Sequence, residues 1–319
     1  MRQTLCALLM LGFWVLAAGC AVPDPAAPQP DDYAGLDKAL SELRTVDWKD
    51  ALGDSAGHTV TGDVKIIDRF PIPQLHRVRR IWVWLPPGYD GSDKRYPVLY
   101  MQDGQNVFDR KTSYAGEWQV DESLAALLGA GKEPAAIVVA VDNGQELRMR
   151  EYVPAALSGR AEDEGEKYAE FLARTLKPYI DARFRTLPDR DHTAVAGSSA
   201  GAAISFYAGV KYPEVFSRVG AFSFVISKDF IGNIFQIRKL FPRDPALPMR
   251  FYLHVGTEED IHGPGSKEMF VTNLRWLAGE LRAMGYGKDE IRLDVEPGGV
   301  HNEGDWARRF PQAYEWLFK

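Results

Sequence analysis

Short apolar runs, rich in β-branched and aromatic residues, recur along the chain between polar stretches that contain Gly and Pro. Ile81–Leu85, Tyr96–Met101, Ala136–Val141, Thr193–Ala196, Val219–Phe224, Phe251–Val255 and Ile291–Val295 are runs of this kind. They are short and mostly apolar, which predicts strands buried on both faces. Between them apolar residues repeat at helical spacing, as in Tyr168, Phe171, Leu172, Leu176 and Tyr179, and again in Phe270, Leu274, Leu277, Leu281 and Met284. Pro178 interrupts the first of these helices and predicts a kink or its last turn, because proline has no N–H to donate. Trp306 to Phe318 predicts a final helix. Strand–helix alternation predicts an α/β fold, with a mostly parallel central sheet and helices on both faces. Val64–Ile67 and Ile81–Leu85 have no helix between them and predict antiparallel strands at the N-terminal edge.

The first residues follow a different pattern. Arg2 precedes an apolar stretch from Leu5 to Ala18, which is too short for a comfortable membrane span and reads as the core of a signal peptide. It ends in Leu16-Ala17-Ala18-Gly19-Cys20, which resembles the lipobox of bacterial lipoproteins, with Ala17 where Leu or Val is more usual. In such proteins the signal is cut before the Cys and the Cys is acylated. Residues 1–20 are therefore expected to be a lipoprotein-type signal, with plain secretion as the simpler alternative. The expected partner is a membrane, reached through a lipid on Cys20. The expected location is the bacterial cell envelope, and Ala21 in place of an acidic residue favours the outer membrane. Residues 21–58 read as a Pro-rich tether followed by a short segment, in which Asp37–Leu52 forms a helix with Leu36, Leu40 and Leu43 on one side. The main domain is expected over 59–319.

Composition narrows the picture. With 319 residues, 45% hydrophobic and 26% charged, the chain suits one large globular domain. A net charge of −6 gives no basic face for nucleic acid. Of two cysteines, Cys6 leaves with the signal, so the mature chain forms no internal disulfide and no thiolate metal site.

Candidate chemistry centres on Gly197-Ser198-Ser199-Ala200-Gly201, which follows one strand-like run and precedes a helix-like segment, Ala202–Lys211. That context is what a nucleophile elbow requires. The turn is sharp enough that side chains at Gly197 and Gly201 are expected to collide with backbone, leaving the Ser199 hydroxyl exposed at a helix N-terminus. A serine needs a base. Of six histidines, His301 is best placed, after the last strand and before the last helix. His58 and His76 read as surface residues, His192 as structural and His254 as core, while His262 stays open beside an acidic loop. The base needs a carboxylate, expected between Ser199 and His301 in the chain. Glu258-Glu259-Asp260 follows a strand end, and there Glu259 or Asp260 is the candidate. An oxyanion hole needs two N–H donors. Ala200 is one, and Gln105 or Gly104 is the other.

Several blocks resemble an esterase family of α/β-hydrolases that includes enterochelin and other siderophore esterases, feruloyl esterases and S-formylglutathione hydrolase. They are Tyr96–Asp109, Ala140–Gly144 with Arg148 and Glu151–Pro154, the elbow, Val255–Glu259, and Gly298–Glu303 with Trp306 and Arg309-Phe310-Pro311. The resemblance runs from Val64 to Phe318. It favours Glu259 over Asp260, since the family's carboxylate usually stands three residues after the Gly. It implies hydrolysis of carboxylic esters without a metal or organic cofactor, on a small-molecule substrate. On that reading Arg148 would meet an anionic substrate, and Trp118 or Phe108 would stack on an aromatic one. A surface ion pair and core packing are the alternatives for those three. Ala200 and Ala202 depart from the family's common Met and Gly. The competing functions are an acyltransferase using the same triad and a non-catalytic binding lipoprotein.

Overall fold

The computed structural model describes residues 33–53, 56–132, 134–224, 238, 242–261, 263 and 266–319. Cys20, the signal and the Pro-rich tether before Tyr33, and His262, lie outside the described residues.

Strands β1 (Val46–Asp47), β2 (Asp63–Ile72), β3 (Arg77–Leu85), β4 (Val98–Gln102), β5 (Ile137–Val141), β6 (Thr193–Ser198), β7 (Arg218–Phe222), β8 (Arg250–Gly256) and β9 (Ile291–Glu296) form one sheet. Its order is β1-β2-β3-β5-β4-β6-β7-β8-β9. The first three pairings, β1 with β2, β2 with β3 and β3 with β5, are antiparallel. All others are parallel. This is the architecture expected from the alternation of apolar runs and helical spacing, including the antiparallel N-terminal edge.

The central strands are apolar throughout because both faces are covered. In β4, Val98 and Tyr100 belong to one core and Leu99 and Met101 to the other. Helices lie on both faces. They are α1 (Tyr33–Glu42), α2 (Trp48–Leu52), α3 (Val120–Gly129), α4 (Arg148–Tyr152), α5 (Ala155–Ser158), α6 (Gly165–Phe171), α7 (Lys177–Arg183), α8 (Ala200–Lys211), α9 (Ser266–Ala283) and α10 (Glu303–Leu317). Between α6 and α7 the chain makes a π-helical turn, Leu172–Leu176, and Pro178 lies in the first turn of α7. The wider turn is how the helix absorbs the donor that Pro178 lacks.

Two expectations change. Asp37–Leu52 is not one helix. Helix α1 ends at Glu42, β1 pairs with β2, and α2 buries Trp48. Elements α1, β1 and α2 therefore pack with the sheet, rather than forming a separate short segment ahead of a domain that begins at 59. Helix α10 starts three residues before Trp306, because Asn302 Oδ1 accepts the Asp305 N–H at 2.9 Å and caps it.

In a parallel sheet every strand ends at the same edge, so the loops after β4 to β9 gather there. One residue at that edge carries a measurable cost. Burial pushes the Asp142 carboxyl up to about 6, although Trp82 Nε1 donates to it at 2.7 Å. The folded state thus holds this proton more tightly than the unfolded chain. The group's contribution to stability is complete below the ordinary value of 3.8 and is lost as pH rises through about 6. Asp142→Asn is expected to gain about 1–3 kcal/mol at pH 8 and nothing at pH 3. Urea unfolding at the two pH values checks this, and equal effects at both would refute it.

Candidate active site

Ser199 sits between β6 and α8 with φ 56 and ψ −123, a conformation few non-glycine residues adopt. Its N–H donates to the Phe222 carbonyl at 2.9 Å, which ties the turn to the next strand. A Cβ on Gly197 would lie 2.6 Å from the Gly201 carbonyl oxygen, so only glycine fits. Gly201 differs from the expectation. A Cβ there would meet side chains, Asp103 Oδ2 at 3.0 Å and Gln102 Cβ at 3.1 Å, rather than backbone. Ala200 opens α8, where helix geometry supplies its N–H with no carbonyl partner.

The acid and the base meet across two loops. His301 Nδ1 lies 2.9 Å from Glu259 Oε2. Glu259 is fully buried, and its Oε1 accepts from Gly256 N at 2.7 Å and from Ser223 Oγ at 2.5 Å. Ser223 Oγ in turn accepts from Trp306 Nε1 at 2.7 Å. The Trp306 ring stands edge-on to the His301 imidazole, centroids 5.2 Å apart. The loops come this close because glycines abut. A Cβ on Gly256 would overlap the Gly299 carbonyl, whose oxygen accepts from Glu258 N at 2.8 Å. Asp260, the alternative acid, is exposed and accepts from Ser266 Oγ at 2.9 Å. Glu258 faces out to Lys267. The geometry thus selects Glu259 as the partner of His301.

After β4 the chain enters a left-handed residue, Asp103 (φ 57), and a 3-10 turn, Gly104–Asn106. Asn106 N donates back to Asp103 O at 2.8 Å and Val107 N to Gly104 O at 3.1 Å. The amides of Gly104 and Gln105 begin this turn, which supplies them no internal acceptor. Both residues are buried, Gln105 with its side-chain Oε1 accepting from Asn143 N at 3.1 Å.

A cleft of about 170 Å³ opens at this edge, and Ser199, His301, Asp103, Asn106, Arg148 and Tyr114 are among the residues that line it. Arg148 reaches the cleft but is already engaged. Its Nε and Nη2 donate to the two Asp103 oxygens at 2.6 and 2.8 Å, and its guanidinium lies over the Tyr152 ring. The charge expected for an anionic substrate is therefore matched within the protein. Trp118 and Phe108 are corrections. Both are buried in the core behind the site, Trp118 against Phe222, Trp306 and Phe310. Neither lines the cleft, whose aromatic side chains are Tyr114, 69% exposed, and the buried Trp306.

The remaining histidines sort differently from expectation in one case. His254 is core, with Nε2 3.2 Å from Glu296 Oε2, and His192 pairs with Asp189 at the surface. His58 is not a surface residue. It is buried 2.6 Å from Asp109 Oδ2 and packs on Trp48. The residues that sequence reasoning missed are Ser223 and Asp103. Ser223 left no signal beyond its place at a strand end. An acid ending an apolar strand, as Asp103 does, must find a cation, and Arg148 was within reach of that argument.

Similarity to known proteins agrees with the geometry. The chain belongs to the Esterase family, described as Putative esterase, whose model matches residues 72–317. It is 26% identical over 246 residues to the uncharacterized protein YbbA of Bacillus subtilis, covering 75% of this chain and 92% of that one. It is 28% identical over 203 residues to the iron(III) enterobactin esterase of Dickeya dadantii, covering 61% of this chain but only 37% of the relative. Among solved structures, a ferulic acid esterase superposes with a TM-score of 0.58 at 18% identity, covering 80% of this chain and 97% of that one. The enterobactin esterase of Shigella flexneri, solved in the presence of enterobactin, gives 0.60 at 19% identity, covering 86% of this chain and 58% of that one. The fold is that of the α/β-hydrolases, and the chain is a carboxylic ester hydrolase.

Ser223→Ala removes one donor to Glu259 and the acceptor of Trp306 Nε1 together. It is expected to cost about 1–3 kcal/mol of stability. An unchanged unfolding midpoint in guanidinium would show that this chain of bonds does not hold the acid loop.

Proposed function

We propose that the enzyme cleaves carboxylic esters through an acyl-enzyme on Ser199. His301 takes the hydroxyl proton as Ser199 attacks the acyl carbon, and then returns it to the leaving alcohol. Glu259 accepts from the Nδ1–H of His301, fixing the tautomer in which Nε2 is the base, and it stabilises the imidazolium that forms. The developing alkoxide is met by the Ala200 N–H, strengthened by the N-terminus of α8, and by an N–H of the turn that begins at Gly104 and Gln105. Water then enters by the reverse route, with His301 as general base, and frees the acid. The single observation that supports this reading most is the 2.9 Å contact of His301 with a fully buried Glu259, in the same cleft as a strained Ser199.

Ser199→Ala is expected to abolish p-nitrophenyl acetate turnover, and labelling by a fluorophosphonate probe, with the fold intact by circular dichroism. Glu259→Gln, which leaves an imidazole able to adopt the wrong tautomer, is expected to lower kcat by about 10⁴. Substantial turnover by the Ser199 variant would overturn the mechanism. The triad alone does not separate hydrolysis from transfer to an alcohol, and product analysis with added alcohol does.

The N-terminal sequence supports a second proposal, that the mature enzyme is held at the bacterial envelope by a lipid on Cys20, with the Pro-rich stretch to Asp32 as spacer. Metabolic labelling with a palmitate analogue is expected to tag the wild type and not Cys20→Ala. Equal labelling of the two would remove the anchor.

A further inference from the structure

Away from the triad, on the other side of the loop 113–119, three carboxylates converge. Glu117, Asp121 and Glu122 each bring one oxygen to within 4.8 Å of the others. Asp121 has no exposed surface. Its Oδ2 accepts from Thr61 N at 2.5 Å, but Oδ1 is buried with no donor, and so is Glu122 Oε2. Among the described residues, Glu117 Oε1 receives the Thr59 hydroxyl, at 2.7 Å. An acceptor shut away without a donor forfeits its hydration with nothing in return, and two of them side by side repel. Both acids are in the first turn of α3, where the helix dipole favours negative charge, but a dipole supplies no ligand to the two orphaned oxygens.

We infer that Glu117, Asp121 and Glu122 form a binding site for a hard divalent cation, calcium by the donor set. The set is all oxygen and strongly anionic, which suits calcium or magnesium and not zinc or copper. Oxygens bound to one calcium at about 2.4 Å lie no more than about 4.8 Å apart, and the three carboxylate oxygens fall within that limit. An open groove of about 300 Å³, lined by Thr59, Gly116, Glu117, Gln119 and Glu122, gives the ion a path and leaves room for water ligands. Arg110 also lines this groove and offsets part of the repulsion at Glu117.

The position gives the ion something to do. It would join Glu117, in the loop that carries Tyr114 and Ala115 into the cleft wall, to the rigid start of α3. Gly116 in the same loop abuts the Glu303 side chain, two residues after His301. The cation therefore acts as a staple for one wall of the cleft and takes no part in the chemistry.

The test uses the full chain after chelator treatment, titrated with calcium chloride by calorimetry and followed by thermal unfolding. Binding of one equivalent and a rise of about 4 °C or more in Tm are expected. Asp121→Asn should abolish both. Glu122→Gln, a half-buried change that spares the buried Asp121, should weaken binding by at least about tenfold. No heat and no rise in Tm at millimolar calcium would overturn the proposal. So would heat that survives both substitutions. The readouts are heat and Tm, so the result does not depend on whether Ser199 is the nucleophile.

Discussion

The site depends on one close approach, that of Gly197 to Gly201 across the turn between β6 and α8. A Cβ at Gly197 would sit 2.6 Å from the Gly201 carbonyl oxygen. Because nothing intervenes, the chain reverses within a few residues and leaves Ser199 at φ 56, facing the cleft from a helix N-terminus. A conformation of this kind costs of order 1–3 kcal/mol, and it persists only where the surroundings over-determine it. Here they do. The Ser199 amide is bonded to the Phe222 carbonyl, β6 is paired on both sides, and α8 is buried along most of its length. The strain is held by the sheet rather than by the serine.

The same logic extends outward from the acid. Glu259 is fully buried, and a carboxylate without water must be satisfied by the protein. It receives His301 on one oxygen and both Gly256 N–H and Ser223 Oγ on the other. Each oxygen is thereby assigned, so the carboxylate cannot rotate without breaking bonds on both sides. Trp306 closes the arrangement by donating to Ser223 while its ring confines the imidazole. Since Trp306 lies on α10, Ser223 at the end of β7 and Glu259 after β8, the orientation of His301 rests on three separate elements. The placement of His301 against Glu259 is a property of packing, not of those two residues alone.

Much of this was legible in the sequence, for identifiable reasons. Apolar runs such as Val98–Met101 betray strands buried on both faces, and the run–helix alternation betrays the parallel sheet. The elbow at Ser199 and the place of His301 in the same cleft were readable because chain order and strand-end placement constrain where such residues fall. Glu259 and Asp260 were inseparable by spacing alone, since both follow the same strand end. What separates them is which one turns inward, and that is decided by the Gly256–Gly299 contact between distant loops. Trp118 and Phe108 misled because an aromatic near a motif looks the same whether it faces substrate or core. Their burial follows from the second apolar layer between the sheet, α3 and α10. His58 misled in the opposite sense. Its partner Asp109 is distant in sequence, and without that pairing a polar residue ahead of the main strands reads as exposed.

Arg148 shows how far the elbow's constraint reaches. A cation at the mouth of an ester-cleaving site invites the idea that it holds an anionic substrate. Yet both oxygens of Asp103 are already bonded to its fork, in the planar two-bond geometry that makes Arg–carboxylate pairs strong. Asp103 Oδ2 also occupies the space that a side chain at Gly201 would need. The pair therefore fastens the loop after β4, which carries Gly104 and Gln105, directly against the first turn of α8, which carries Ala200. Donors from two loops must be held at a fixed separation to meet one oxygen atom. Arg148, at the start of α4, holds Asp103 in that place by its two bonds, and its Nη2 also donates to the Ser198 carbonyl of the elbow at 3.5 Å. The sequence motif Asp103-Gly104 and the elbow glycine Gly201 are thus two halves of one contact.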